Sequence, residues 1–229
     1  MDESIVLFVH GSFFSAWCWI PVIERLEKAG VRCATIELPF MSLESDVLRL
    51  RESIAALVPD NAVTVVCHSY TGITLSMAGH DAHHLVYVAA RLPAVGESQA
   101  ELSSNWGNPD FRSCIVVSED GSIALSNDAK NFLFNRSPVA LAQLAMNFRR
   151  SMRSEIPSVP IHNPAWLSVP SSYIVCTDDK TVRLDQQRQR ASWVANSLEI
   201  DCDHSPFFSA PDETATFIAS HRAMNRLVG

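Results

Sequence analysis

The chain has no G-x-S-x-G stretch, the turn that usually carries a catalytic serine, and only 8 glycines in 229 residues from which to build one. No run approaches the about 20 consecutive apolar residues of a membrane-spanning helix. Met1-Asp2-Glu3-Ser4 is acidic and leads into a strand-like segment, so no secretory signal is expected. Positive charge is also short: 18 Lys and Arg against 25 Asp and Glu give a net charge of -7, which argues against nucleic acid or an anionic membrane as partner. The cysteines at positions 18, 33, 67, 114, 176 and 202 form no C-x-x-C pair. Several sit in apolar runs, where a thiol behaves as a small hydrophobe, and a reduced, cytoplasmic protein is expected. Histidines and cysteines lack metal-ligand spacing, so neither a metal nor another cofactor is expected.

What is present is alternation. Ser4 to His10, Arg32 to Pro39, Val63 to Cys67, His84 to Ala90, Ser172 to Cys176 and Ser197 to Ile200 read as short apolar strands. Between the first strands lie amphipathic helices. One is opened by Ser15 and closed by Gly30, with Trp19, Ile23 and Leu26 inward. The next has Val47, Leu50, Ile54 and Leu57 inward and Asp46, Arg49, Arg51 and Glu52 outward. A helix follows near Leu184 to Val194, and a last one begins near Pro211, with Asp212 and Glu213 at its start and Arg222 and Arg226 near its end. Strands and helices at this spacing imply right-handed crossovers and a mostly parallel sheet.

The alternation breaks between residues 92 and 169, where turn residues and isolated aromatics dominate. One helix is legible, starting at Ser137-Pro138 with Leu141, Leu144, Ala145 and Phe148 on one face. Ile156 to Pro170 holds four prolines and is a poor candidate for regular structure. The expected organisation is a single domain: a core of residues 1–91 and 170–229 with a small, largely helical cap insertion at 92–169. Phe13, Trp106, Phe134, Phe148 and Phe207 are candidates to line a substrate pocket.

The stretch Val63 to Gly72 is a strand, a sharp turn and a helix with Ser69 at the turn, but Cys67 and Thr71 occupy the usual glycine positions. A serine hydroxyl needs a base, and the base needs a third group to hold its tautomer. Ser69, the pair Asp178/Asp179 and His204 each follow a strand, where sites of parallel sheets gather. Their order, Ser, Asp, His, is a serine-hydrolase order. Backbone N–H groups of Tyr70 and of Ser12, in the His10-Gly11-Ser12 loop, are candidates for an oxyanion hole. His10 reads as support for that loop, and His68 as structural.

These pieces resemble the α/β-hydrolase superfamily, and within it the small esterases grouped with plant methyl-salicylate esterases, hydroxynitrile lyases and their bacterial relatives. The matching residues are Phe8-Val9-His10-Gly11, Trp17-Cys18-Trp19, His68-Ser69-Tyr70-Thr71-Gly72 and Leu85-Val86-Tyr87-Val88 with Gly96-Glu97-Ser98. Tyr173 to Lys180 and Asp203-His204-Ser205-Pro206-Phe207 complete the set. They span the chain, and the cap matches least. The resemblance implies the α/β-hydrolase fold and, in the acid loop, Asp179 rather than Asp178 as the third triad member. It also implies an esterase over a hydroxynitrile lyase, because Gly11 and Ser205 replace the lyases' threonine and lysine. Arg183 stands where a proline is common, and β-branched Thr71 could crowd the turn, with Gly72 relieving part of it. The expected function is cofactor-free cleavage of a small carboxylic ester by Ser69, His204 and Asp179. The alternatives are a lyase or C–C bond hydrolase on the same triad, or a ligand-binding receptor with little turnover. A homodimer through the cap is compatible with the sequence, which does not require one.

Overall fold

The β-rich runs assemble because the central ones are apolar on both faces and must be covered on both. The structure, a computed structural model, describes residues 4–153 and 158–222. The strands β1 (Ser4–Val9), β2 (Cys33–Ile36), β3 (Ala62–His68), β4 (His84–Val88), β5 (Ser171–Cys176) and β6 (Asn196–Ile200) form one sheet. Their order is β6-β5-β4-β3-β1-β2, and every neighbouring pair is parallel. Side-chain alternation then builds two cores. Val6 and Phe8 of β1 face helices α1 (Ile20–Lys28) and a C-terminal helix (Pro211–His221), whereas Ile5, Leu7 and Val9 face α2 (Leu43–Leu57) and α3 (Thr71–Ala78).

The expected strands and flanking helices are all present, with three differences in detail. Ser15 heads a short 3₁₀ turn, Ala16–Trp19, without a side-chain cap bond, so α1 starts later and turns Val22 and Leu26 inward, leaving Ile23 half-buried. Asp46, expected outward on α2, is buried, because its carboxylate accepts from the Phe40 N–H (2.9 Å) and the Tyr70 hydroxyl (3.0 Å). Leu57 is only half-buried. Arg226 lies outside the described residues.

Among the described residues, no strand between 92 and 169 joins the main sheet. A helix at Gln99–Trp106 starts with a reciprocal Ser98–Glu101 capping box. The helix expected at Ser137 is present at Val139–Asn147, but it buries Ala142, Ala145 and Met146 rather than Leu141, Leu144 and Phe148. Leu144 and Phe148 are 41% and 62% exposed. The sequence of this helix is apolar nearly all round, so periodicity leaves the face open, and the small alanines allow the closest approach. A three-stranded antiparallel sheet, formed by Ile115–Val117, Ser122–Leu125 and Met152–Arg153, was not legible in the sequence. Its strands are too short and too exposed to show alternation. In the proline-rich stretch, Ile156 and Pro157 lie outside the described residues, and Pro160–Ile161 pairs with Glu97–Ser98. No helix among the described residues is long and apolar enough to cross a membrane.

Candidate active site

Ser69 leaves β3 in the left-handed region, with φ +56°. That strain is held by a ladder to the neighbouring strand end. The Ser69 N–H donates to the Val88 carbonyl (3.1 Å), and the Arg91 N–H donates back to the Ser69 carbonyl (2.9 Å). Thr71 fits the turn instead of crowding it. Its hydroxyl donates to the His68 carbonyl (2.8 Å) and accepts from the His68 N–H (3.1 Å), closing two buried groups at the strand end. The close approach that a glycine normally permits occurs one residue later. A Cβ at Gly72 would lie 2.5 Å from the Arg91 carbonyl oxygen, which is backbone and has little room to yield. Two stability changes follow. Thr71→Val keeps the shape but orphans the His68 N–H, and should cost about 1–3 kcal/mol in denaturant unfolding. Gly72→Ala should cost a similar amount through overpacking, about 1–3 kcal/mol. A Gly72→Ala protein as stable as the parent would contradict the close approach.

His204 and Asp179 arrive from the ends of β6 and β5. The Ser69 hydroxyl lies 3.0 Å from His204 Nε2, and His204 Nδ1 lies 2.7 Å from Asp179 Oδ2. Asp179 Oδ1 accepts from the N–H groups of Thr181 (2.7 Å) and Val182 (2.8 Å). Asp178, by contrast, turns outward to Lys180 (2.5 Å) and Arg136 (3.8 Å). Two supporting residues escaped the sequence reading. Gln187 is fully buried on the helix Leu184–Ala191; its amide donates to Asp179 Oδ2 (2.9 Å) and its carbonyl accepts from the Cys176 N–H (3.0 Å). Asp203 is also fully buried, accepting from Arg136 N–H, Ser137 hydroxyl, Ser205 N–H and Ser209 hydroxyl, which anchors the turn carrying His204. One Gln of three in a polar helix and an acid beside a histidine give no sequence signal of this kind.

His68 packs against His204. Its Nε2 lies 2.8 Å from the His204 carbonyl, which accepts the ring proton, and the two rings are 4.6 Å apart. Burial, with His204 close by, holds the His68 pKa well below the usual histidine range, so the ring stays neutral. A Cβ at Gly11 would collide with this ring. His10 ties the loop after β1 to the loop after β2, contacting the Gly11 carbonyl (3.0 Å) and the Leu38 N–H (3.1 Å).

A cavity of about 400 Å³ opens beside Ser69 and His204. Ser12 and Tyr70 line it, and neither backbone N–H has an acceptor among the described residues. Of the aromatics expected in the pocket, Phe13 and Trp106 line it. The other three do not. Phe134 is buried between Phe14 (5.5 Å) and Phe208 (5.9 Å), and Phe207 packs on Trp19 (5.1 Å) and His68 (5.1 Å), so both serve the core beneath. Phe148, just past the helix Val139–Asn147, is exposed. Phe40, Leu43, Phe111, Ile115, Ile123 and Leu133 take their place on the apolar wall. Two of these, Ile115 and Ile123, belong to the small antiparallel sheet. Among the described residues, no group of three His, Cys, Asp or Glu side chains could hold a metal ion.

Comparison with known proteins agrees with this architecture. Residues 6–217 match the model of the alpha/beta hydrolase family. The chain is 26% identical to methylesterase 7 of Arabidopsis thaliana over 248 residues, covering 95% of each chain. It is 27% identical to the alpha/beta hydrolase nvfD of Aspergillus novofumigatus over 240 residues, covering 93% of this chain and 94% of that protein. Among solved structures, polyneuridine aldehyde esterase superposes with a TM-score of 0.81 at 20% identity, over 95% of this chain and 98% of that one. Tomato methylketone synthase I superposes with a TM-score of 0.78 at 18% identity, covering 96% and 98%. At these identities the superpositions speak for the fold, and the family match spans nearly the whole sequence. The chain belongs to the alpha/beta hydrolase family.

Proposed function

We propose that the protein is a cofactor-free serine hydrolase of small carboxylic esters, working through Ser69, His204 and Asp179. The observation that carries this reading is the continuous hydrogen-bonded row from Ser69 Oγ through the His204 ring to Asp179 at 3.0 and 2.7 Å. The methylesterase and esterase names among its relatives support the same substrate class. In this mechanism His204 Nε2 takes the Ser69 proton as Oγ attacks the ester carbonyl, and Asp179 holds the imidazolium that forms. The N–H groups of Ser12 and Tyr70 receive the negative oxygen, each worth about 10²- to 10³-fold in rate. His204 then returns its proton to the leaving alcohol, activates water, and the acyl-enzyme at Ser69 is hydrolysed. Residues 92–169 act as the cap, supplying Trp106, Phe111, Ile115 and Ile123 to the cavity wall.

A fluorophosphonate probe tests the nucleophile directly. Folded protein should be labelled once, at Ser69, and the Ser69→Ala protein should not be labelled. Absence of labelling in protein that melts cooperatively would favour a receptor with no turnover.

A further inference from the structure

Part of the cavity lining has a different character. Gln99, Ser103 and Trp106 lie four and three residues apart on the helix Gln99–Trp106, so they share the face that lines the cavity. Arg91 lies against this face, and its guanidinium donates to the Ser103 hydroxyl (3.0 Å). None of the ion pairs among the described residues includes Arg91. Its Nε is buried without a hydrogen-bond partner, as are Gln99 Oε1, Trp106 Nε1 and Thr181 Oγ1, all on residues that line the same cavity. Gln99, Trp106 and Thr181 are 5%, 1% and 6% exposed.

A half-buried, uncompensated cation among orphaned polar atoms is costly unless a ligand completes it. Burial lowers the Arg91 pKa only to about 10, which leaves it charged at neutral pH, and Arg112 adds a second positive charge nearby. Arg112 is itself anchored to the carbonyls of Ser103 and Ser104. Asp46, an acid that also lines the cavity, is already engaged by Tyr70 and Phe40. This cationic bias runs against the chain's net charge of -7. The Arg91 backbone N–H is bonded to the carbonyl of Ser69 (2.9 Å), which ties the residue that carries this guanidinium to the Ser69 turn.

We propose that the cavity selects an ester whose acid or alcohol half carries a second, carboxylate group, bound by the Arg91 guanidinium on the Gln99–Trp106 face. A carboxylate fits because it accepts two parallel N–H bonds from a guanidinium. The inference rests on the ester-hydrolase reading of Ser69, and the product would be a dicarboxylate or a hydroxy acid.

Two matched pairs of esters test it: monomethyl glutarate against methyl pentanoate, and acetoxyacetate against propyl acetate. In at least one pair, kcat/KM should favour the charged ester by about tenfold or more, the range of one charge-assisted hydrogen bond. Arg91→Met should collapse that ratio, and Arg91→Lys, which keeps the charge but not the fork, should restore part of it. Equal kcat/KM within both pairs, or an Arg91→Met loss identical for charged and neutral esters, would overturn the proposal. Titration calorimetry of glutarate into Ser69→Ala protein separates this idea from the function on which it rests. Arg91-dependent, salt-sensitive binding without turnover of any ester would keep the anion site and remove the esterase. Ester turnover with no glutarate binding and no charge preference would do the reverse.

Discussion

Ser69→Ala should lower kcat/KM on p-nitrophenyl acetate by about 10⁴-fold or more, while the melting temperature changes little. The size follows from how a nucleophile and its base work as a unit. Loss of either removes the covalent route entirely, and what remains, about 10³- to 10⁴-fold over water, comes from the oxyanion donors and binding. For the same reason the double variant Ser69→Ala/His204→Ala should be hardly worse than either single one. Stability is a separate matter, because the Ser69 side chain makes one hydrogen bond, to His204, and the turn is fixed by backbone bonds to Val88 and Arg91. Loss of that bond costs about 1 kcal/mol or less. Steady-state assays beside thermal melts check both halves. Retention of a tenth of the parent activity, free of contaminating esterase, would remove Ser69 from the nucleophile's role.

The sheet could be read from the sequence because its central strands are apolar on both faces and most of its strands are separated by helices of clear period. Those signals are local, and they survive without any tertiary information. The order of Ser69, the Asp pair and His204 at the ends of β3, β5 and β6 was legible for the same reason. The environment of each residue was not. Asp46 looked like a surface acid because nothing in helical periodicity reveals that Phe40 and Tyr70, one of them from another element, aim donors at it. Thr71 looked like an obstacle because a motif describes size, whereas the turn uses its hydroxyl. The aromatics expected in the pocket divided by their packing. Phe207 and Phe134 are buried in the core and Phe148 is exposed, and no sequence pattern distinguishes these from Trp106.

Asp179→Asn should lower kcat by about 10⁴-fold, the typical effect of presenting the base in the wrong tautomer. The surroundings of Asp179 make the outcome unusually clear, because every partner is a donor. Oδ1 receives the N–H groups of Thr181 and Val182, and Oδ2 receives His204 Nδ1 and the Gln187 amide. An asparagine has one oxygen and must turn its NH₂ toward one of these two sides. Facing Thr181 and Val182, it opposes two fixed backbone donors. Facing His204, it forces the proton from Nδ1 to Nε2, which then points a hydrogen at Ser69 Oγ and cannot accept one. The second arrangement also sets the NH₂ against Gln187, so a stability loss of about 1–3 kcal/mol should accompany the rate loss. Asp178→Asn is the matched control. Its carboxylate faces Lys180 and Arg136 away from His204, and its removal should change kcat/KM by less than about threefold, since exposed pairs contribute little. If the two substitutions proved equally damaging, the acid would have been assigned to the wrong residue, and the row of hydrogen bonds would have to be redrawn from His204 outward.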